Sequence, residues 1–339
     1  MFPLTLKPAV RVSLFALAAV AFTAAAQPYG GGAGGATAAG GSAAGPSMAG
    51  GGPAGGAVFR PNYHLGFDRP EAWGLKYFAS TSLLSGLDPD PPSPEKRRAG
   101  SVTLGLELGW LPTLDAGQQR IGFNGTSPED LNKAPLFARP VLRVGLPRSF
   151  TALLAAPPPF ELFGVTPHLF AFGLERPIIE RPQWAFRWRG YGQLGSVKGA
   201  FTCPQSVLAF APGSASNPTA CIGQSADVAT LRYAGLELQF SHRLTRAPKL
   251  VPHFTVGGNF MDGVFQVHAP VQGGLDETRM WTRGGTFSTT GGVTYLLGKR
   301  AAFTVDAFYS PLWVQRLPGA PTTNDGSFNV RALLSYTLR

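Results

Sequence analysis

The chain has 339 residues with 44 glycines and 31 prolines, only 14% charged residues, and a formal net charge of +10. So much glycine and proline with so little charge excludes a helical bundle and points to a turn-rich, all-β protein. The positive charge is scattered, and no helix-turn-helix pattern or zinc-ligand spacing accompanies it, which argues against nucleic acid as a partner.

Residues 1–26 read as a secretory signal peptide. Lys7 and Arg11 flank an apolar stretch from Val12 to Phe22, and Ala24, Ala25 and Ala26 offer a small-residue cleavage site. Residues 27–57 are nearly all Gly, Ala, Ser and Pro, a composition that cannot offset its ordering entropy, so a flexible periplasmic tether is expected. Residues 58–339 form the remaining domain.

From Glu71 onward, apolar and polar residues alternate. Trp73, Leu75, Tyr77, Ala79 and Thr81 oppose Lys76, Ser80 and Ser82. Val102, Leu104, Leu106, Leu108 and Trp110 oppose Ser101, Thr103, Glu107 and Gly109. Further segments with period two lie at 138–145, 150–156, 168–175, 184–193, 236–241, 253–260, 287–297 and 303–313, and the longest closes the chain at 327–339. In that last segment Phe328, Val330, Ala332, Leu334, Tyr336 and Leu338 alternate with Asn329, Arg331, Leu333, Ser335, Thr337 and Arg339, a mostly polar face. Strands of soluble proteins are usually shorter, whereas roughly 9–11 residues are needed to cross a bilayer at a tilt.

The terminal pattern, with Tyr336 and Leu338 in alternate positions, resembles the C-terminal assembly signal of bacterial outer-membrane β-barrels. It departs from that signal in ending on Arg339 instead of an aromatic residue. The resemblance implies an all-β, transmembrane, antiparallel up-and-down β-barrel in the outer membrane of a Gram-negative bacterium. Its partners would be outer-membrane lipid, lipopolysaccharide and the barrel-assembly machinery. Connection lengths agree: short turns near 146–148, 244–248 and 298–300 alternate with long connections at 199–227, 261–282 and 315–326. An even count of about 12 strands, within about 10–14, is expected, with residues 58–66 or 119–124 supplying one of them. Trp73, Trp110, Trp184, Tyr295 and Trp313 fit interfacial aromatic girdles.

Cys203 and Cys221 are the only cysteines and fall in one long connection, so a disulfide is expected in an oxidising compartment. The lumen face would carry Lys76, Arg139, Arg143, Arg187, Arg189 and Arg331 against Glu107, Glu175, Glu237 and Asp306. Such groups must pair or meet water. One reading makes them structural salt bridges; the other makes them a basic lining that favours anions, with Arg187 and Arg189 at a constriction. Ser241 and His253 are equidistant from the 244–248 turn and could pair across strands, but no acid neighbour is evident and no enzyme is expected. No metal or cofactor is expected. Residues 120–133 read as an outer loop, folded inward or not. The expected function is a narrow channel or transporter for small, anionic solutes. The alternatives are a hydrophobic-compound transporter similar to the long-chain fatty-acid barrels, a closed structural or adhesive barrel, and a lipid-modifying barrel enzyme.

Overall fold

A computed structural model describes residues 57–86, 99–125, 127–129, 131 and 135–338. The expectations for residues 1–26 and 27–56, and for Arg339, lie outside these. Two short strands, β1 (Ala57–Phe59) and β2 (Asn62–His64), precede a helix, α1 (Pro70–Thr81). There follow β3 (Val102–Trp110), β4 (Leu136–Gly145), β5 (Thr151–Ala155) and β6 (Val165–Glu180). Next come β7 (Trp184–Gly199), β8 (Asp227–His242) and β9 (Leu250–Gln266). Short β10 (Ala269–Val271) and β11 (Gly274–Asp276) lead to β12 (Arg279–Leu296), β13 (Ala301–Ser310) and β14 (Ser327–Thr337).

Strands β3–β9 and β12–β14 form a closed antiparallel ring of ten, the low end of the expected range. The ring closes where the last strand meets the first, with Leu334 opposite Leu106, and where β9 meets β12. Strand β2 lies outside it, parallel to the start of β12.

One segment expected as a strand, 71–82, is the helix α1. Pro70 at its first position supplies a preset φ and wastes no hydrogen-bond donor, and Glu71 sits favourably in the first turn. The helix stands inside the barrel with Trp73, Leu75, Lys76, Tyr77 and Ser80 all buried. A helix surrounded on every side has no polar stripe, so its sequence fits period two as well as period 3.6. Two expectations are thereby corrected. Lys76 is in the lumen but on the plug helix instead of a wall strand, and Trp73, fully buried, belongs to no girdle.

On the wall, the alternation turns apolar side chains outward and polar ones inward. Leu104, Leu106, Leu108 and Trp110 are each about half exposed, while Glu107 between them is fully buried. Phe172, Leu238, Phe254, Val305 and Tyr336 continue this outward belt around the ring. A water-soluble domain would put this face in its core; here the core is the charged side. The protein is a bacterial outer-membrane β-barrel, crossing with strands and with no helix among the described residues long and apolar enough to do so. The connections 146–150, 181–183, 243–249 and 297–300 gather at one end and the long ones at the other; in outer-membrane barrels the short turns are the periplasmic ones and the long loops the external ones. Residues 119–124 give only a two-residue strand and a helical turn. Ile121 and Leu131 of this connection pack on Trp73 and Tyr77, so it folds inward over the plug.

Candidate functional site: a clamped plug beside an apolar cavity

Below α1 the chain runs through the barrel as an extended stretch, residues 82–86, with no ladder of its own. Its backbone groups are met by side chains of the wall, as buried peptide groups must be. Arg139 on β4 donates through Nη1 to the Ser82 carbonyl at 2.7 Å and through Nη2 to that of Leu83 at 3.3 Å. Its Nε reaches Glu107 Oε2, its cross-strand partner, at 2.5 Å. Arg331 on β14 donates to the Leu83 carbonyl at 3.0 Å. Arg189 on β7 donates to the Gly86 carbonyl at 2.5 Å, and it faces Glu175 and Glu237 in register on its two neighbouring strands. Those ion pairs measure 2.8 and 3.1 Å. Glu237 accepts from Ser85 Oγ at 2.7 Å and from the Gly86 amide at 3.2 Å. Tyr233 accepts from the Leu84 amide and donates to the Ser82 carbonyl. Gly86 sits at φ +68, and a Cβ there would lie 2.5 Å from a Thr290 methyl, so no other residue fits that position.

Arginine suits this task because its fork of donors can hold a carboxylate on one side and a peptide carbonyl on the other. All nine wall residues named from the sequence as lumen candidates are buried inside the ring. Arg143 reaches Glu175 at 3.2 Å, and Arg187 reaches Glu180 at 3.0 Å. Lys76 holds the rim of the plug instead, donating to the carbonyls of Phe67 and Trp313 at 2.6 Å each. The carbonyls of 82–86 were not foreseen as the partners of these charges. Pro70 and the run of turn-forming residues after Thr81 are the signals that mark a break there.

Beside the plug lies an apolar cavity of about 140 Å³. Tyr77 and Phe78 of α1 line one side; Leu169, Val197, Phe201 and Leu231 line the other, with Arg139 and Gln193 also on its walls. It borders a place where the wall is incomplete. Strand β5 has only five residues and pairs with β4 from Val141 to Gly145 and with β6 from Ala171 to Glu175. The outer halves of β4 and β6 therefore face each other with no strand between them. The intervening chain, 156–164, contains Pro157, Pro158 and Pro159, which offer no amide to a ladder. Pro157, Pro158, Leu162 and Val165 from this gap line the cavity too.

The expected disulfide is present: Cys203 and Cys221 are bonded across 18 positions with Cα atoms 5.7 Å apart. It secures the 200–226 connection that presents Phe201, whose ring lies 5.4 Å from that of Phe78. Asp227 fixes the same turn by accepting from the amides of Phe201 and Thr202 at 3.0 and 2.7 Å.

Ser241 and His253 are register partners, as expected. The acid missing from the sequence reading is Asp306, whose Oδ1 lies 2.6 Å from His253 Nε2. The other ring nitrogen faces the Val251 carbonyl at 3.4 Å, so both are engaged away from Ser241. Tyr336, by contrast, is exposed on the outer surface near the periplasmic end, and Leu338 beyond it is exposed as well.

No family model and no curated protein matches the chain. Solved structures do resemble it. The Escherichia coli outer membrane protease OmpT is 8% identical over 70% of this chain and 94% of its own, with a TM-score of 0.35. The Pseudomonas putida toluene transporter TodX is 11% identical over 83% and 99%, with a TM-score of 0.31. Ail, the attachment invasion locus protein of Yersinia pestis, is 11% identical over 71% and 99%, with a TM-score of 0.28. At these values the likenesses say nothing of activity.

Proposed function

We propose that this outer-membrane barrel is a transporter for small apolar molecules, which reach its interior through the wall between β4 and β6. The carrying observation is the apolar cavity at the unpaired stretch of wall. An engineered apolar cavity of about 150 Å³ stays dry and binds benzene, and the cavity here is of that size at about 140 Å³. A gap at the outer halves of two strands opens toward lipid, where apolar molecules concentrate.

The expected basic, anion-favouring lining is less well supported. The inward arginines are matched by carboxylates and by plug carbonyls, so little free positive charge faces the lumen. The test is toluene uptake by cells carrying the wild type, Leu169→Trp or Val197→Trp. Filling the cavity should slow uptake several-fold while leaving barrel folding intact, and Leu236→Trp on the lipid face should not. Discrete anion-selective conductance steps from the wild type in a planar bilayer, with unchanged uptake in the filled variants, would overturn the proposal.

A further inference from the structure

We infer that the barrel also delivers its own N-terminal limb to the cell exterior: the chain ahead of the plug passes out through the lumen, so that residues 57–64 stand on the cell surface. The path of the described chain carries the inference. Strand β1 lies parallel on β11, with Ala57 opposite Gly274 and Phe59 opposite Asp276, inside the long 267–278 connection. Strand β2 lies on the first residues of β12, with His64 opposite Trp281. Arg60 between them forms an ion pair with Glu277 at 2.6 Å. All three contacts are at the end of the barrel that bears the long connections.

From there the chain turns over the rim, where Thr282 Oγ1 donates to the Leu65 carbonyl at 3.2 Å. Helix α1 descends, and Gly86 lies at mid-barrel between Arg189 and Glu237. The chain is next found at Gly100, whose amide donates to the Gly145 carbonyl at 2.8 Å beside a short turn, at the opposite end. Residues 87–98 could span about 40 Å at ~3.3 Å per residue, more than the half-barrel that remains. A plug that entered and left from the periplasm would have to bring its first strands back to that side. Here they are paired at the far rim, while Gly100, just ahead of β3, lies at the other end. The passage also fits the way three arginines hold residues 82–86, through backbone carbonyls.

The test is the accessibility of single thiols on intact cells. No free cysteine exists among the described residues, so an introduced one is unique there. Arg60→Cys is the probe, because that side chain is 73% exposed and its loss removes only a surface ion pair. Val58→Cys is a second probe should the first misfold, with folding checked by heat-modifiable gel migration. Gly213→Cys marks the long-connection end and Lys299→Cys the short-turn end. A membrane-impermeant maleimide should label Arg60→Cys, Val58→Cys and Gly213→Cys on intact cells, and Lys299→Cys only after lysis. Labelling of Gly213→Cys with both limb probes silent until lysis would overturn the inference, as would labelling of Lys299→Cys alone. Neither result depends on uptake of apolar molecules, so this inference and the transport proposal fail separately.

Discussion

His253 and Asp306 meet across a strand that does not touch either through a side chain. They sit on β9 and β13, and the residue between them on β12, in register with both, is Gly292. A Cβ at Gly292 would collide with the Asp306 carboxylate and lie 2.8 Å from His253 Nε2. The absence of a side chain is what allows two wall residues one strand apart to form a 2.6 Å hydrogen bond. Gly292→Ala should therefore force the pair apart and break this buried hydrogen bond, at a cost of about 1–3 kcal/mol. Urea unfolding in lipid vesicles measures it. Gly291→Ala, one residue along on the lipid face with its nearest neighbour 3.9 Å away, is the control and should change stability by less than about 1 kcal/mol. Equal midpoints for the two variants would show that the pair contributes nothing.

The clamp makes a second expectation. Arg139→Met removes the partner of Glu107 and two donors to the plug backbone together. The orphaned carboxylate should cost about 3–5 kcal/mol, and the double variant Arg139→Met, Glu107→Met should recover part of that, because replacing both members of a buried pair is gentler than removing one. A loosened plug should also leak. Planar-bilayer recordings are expected to show flickering conductance in Arg139→Met that the wild type lacks. A silent, fully stable variant would mean that the plug is held elsewhere.

The ten ring strands were legible because each has one face in lipid and one in a polar lumen, which enforces strict alternation. What was not legible follows from the same physics. Helix α1 lies among wall strands on all sides, so Trp73, Lys76 and Ser80 are buried alike and no stripe betrays the period. The inward charges could be named singly, yet Arg139, Arg189 and Arg331 also hold backbone carbonyls at 82–86, and a carbonyl has no letter in a sequence. Asp306 was identified as inward, but its tie to His253 skips a strand and exists only through the register at Gly292. The apolar cavity is the least visible feature of all. It arises from pairing that is missing where β5 stops at Ala155, and the only sequence trace is the run Pro157, Pro158, Pro159.

The Cys203–Cys221 bond closes a loop of 18 positions over the plug. In the chain-entropy account such a closure is worth about 3 kcal/mol. Because the connection is outside the membrane, the loss should be local. The variant Cys203→Ser, Cys221→Ser is expected to be nicked by elastase within 204–220 far faster than the oxidised wild type, with the barrel fragment still folded on a gel. Phe201 would also be freed from Phe78, so apolar uptake should change along with nicking. Equal nicking rates would assign the loop's order to Asp227 and Ser225 alone, which hold the amides of Phe201, Thr202 and Cys203.

Glu129, in the external connection folded over the plug, gives a pH dependence with a definite sign. Burial pushes its carboxyl well above the ordinary carboxylate range, and the charges of Asp227 and Glu71 push it further the same way. Its backbone amide donates to the Gln119 carbonyl at 2.8 Å and its carbonyl accepts from the Leu131 amide, which ties it to the turn that seats Leu131 on Trp73 and Tyr77. The folded state thus retains the proton while the unfolded chain releases it near the usual value of about 4.3. Where the folded state binds more protons, stability falls as pH rises. The loss begins near the unfolded value and continues upward until the folded group also ionises. Glu129→Gln, which keeps the neutral form's shape at every pH, should match the wild type at pH 4 and exceed it at pH 8. Urea midpoints of the two proteins, or trypsin cleavage within 111–135, measured across that range would show the gap opening with pH. A gap of constant size, or one that opens toward acid, would mean that Glu129 is ionised in the folded protein and held by a cation.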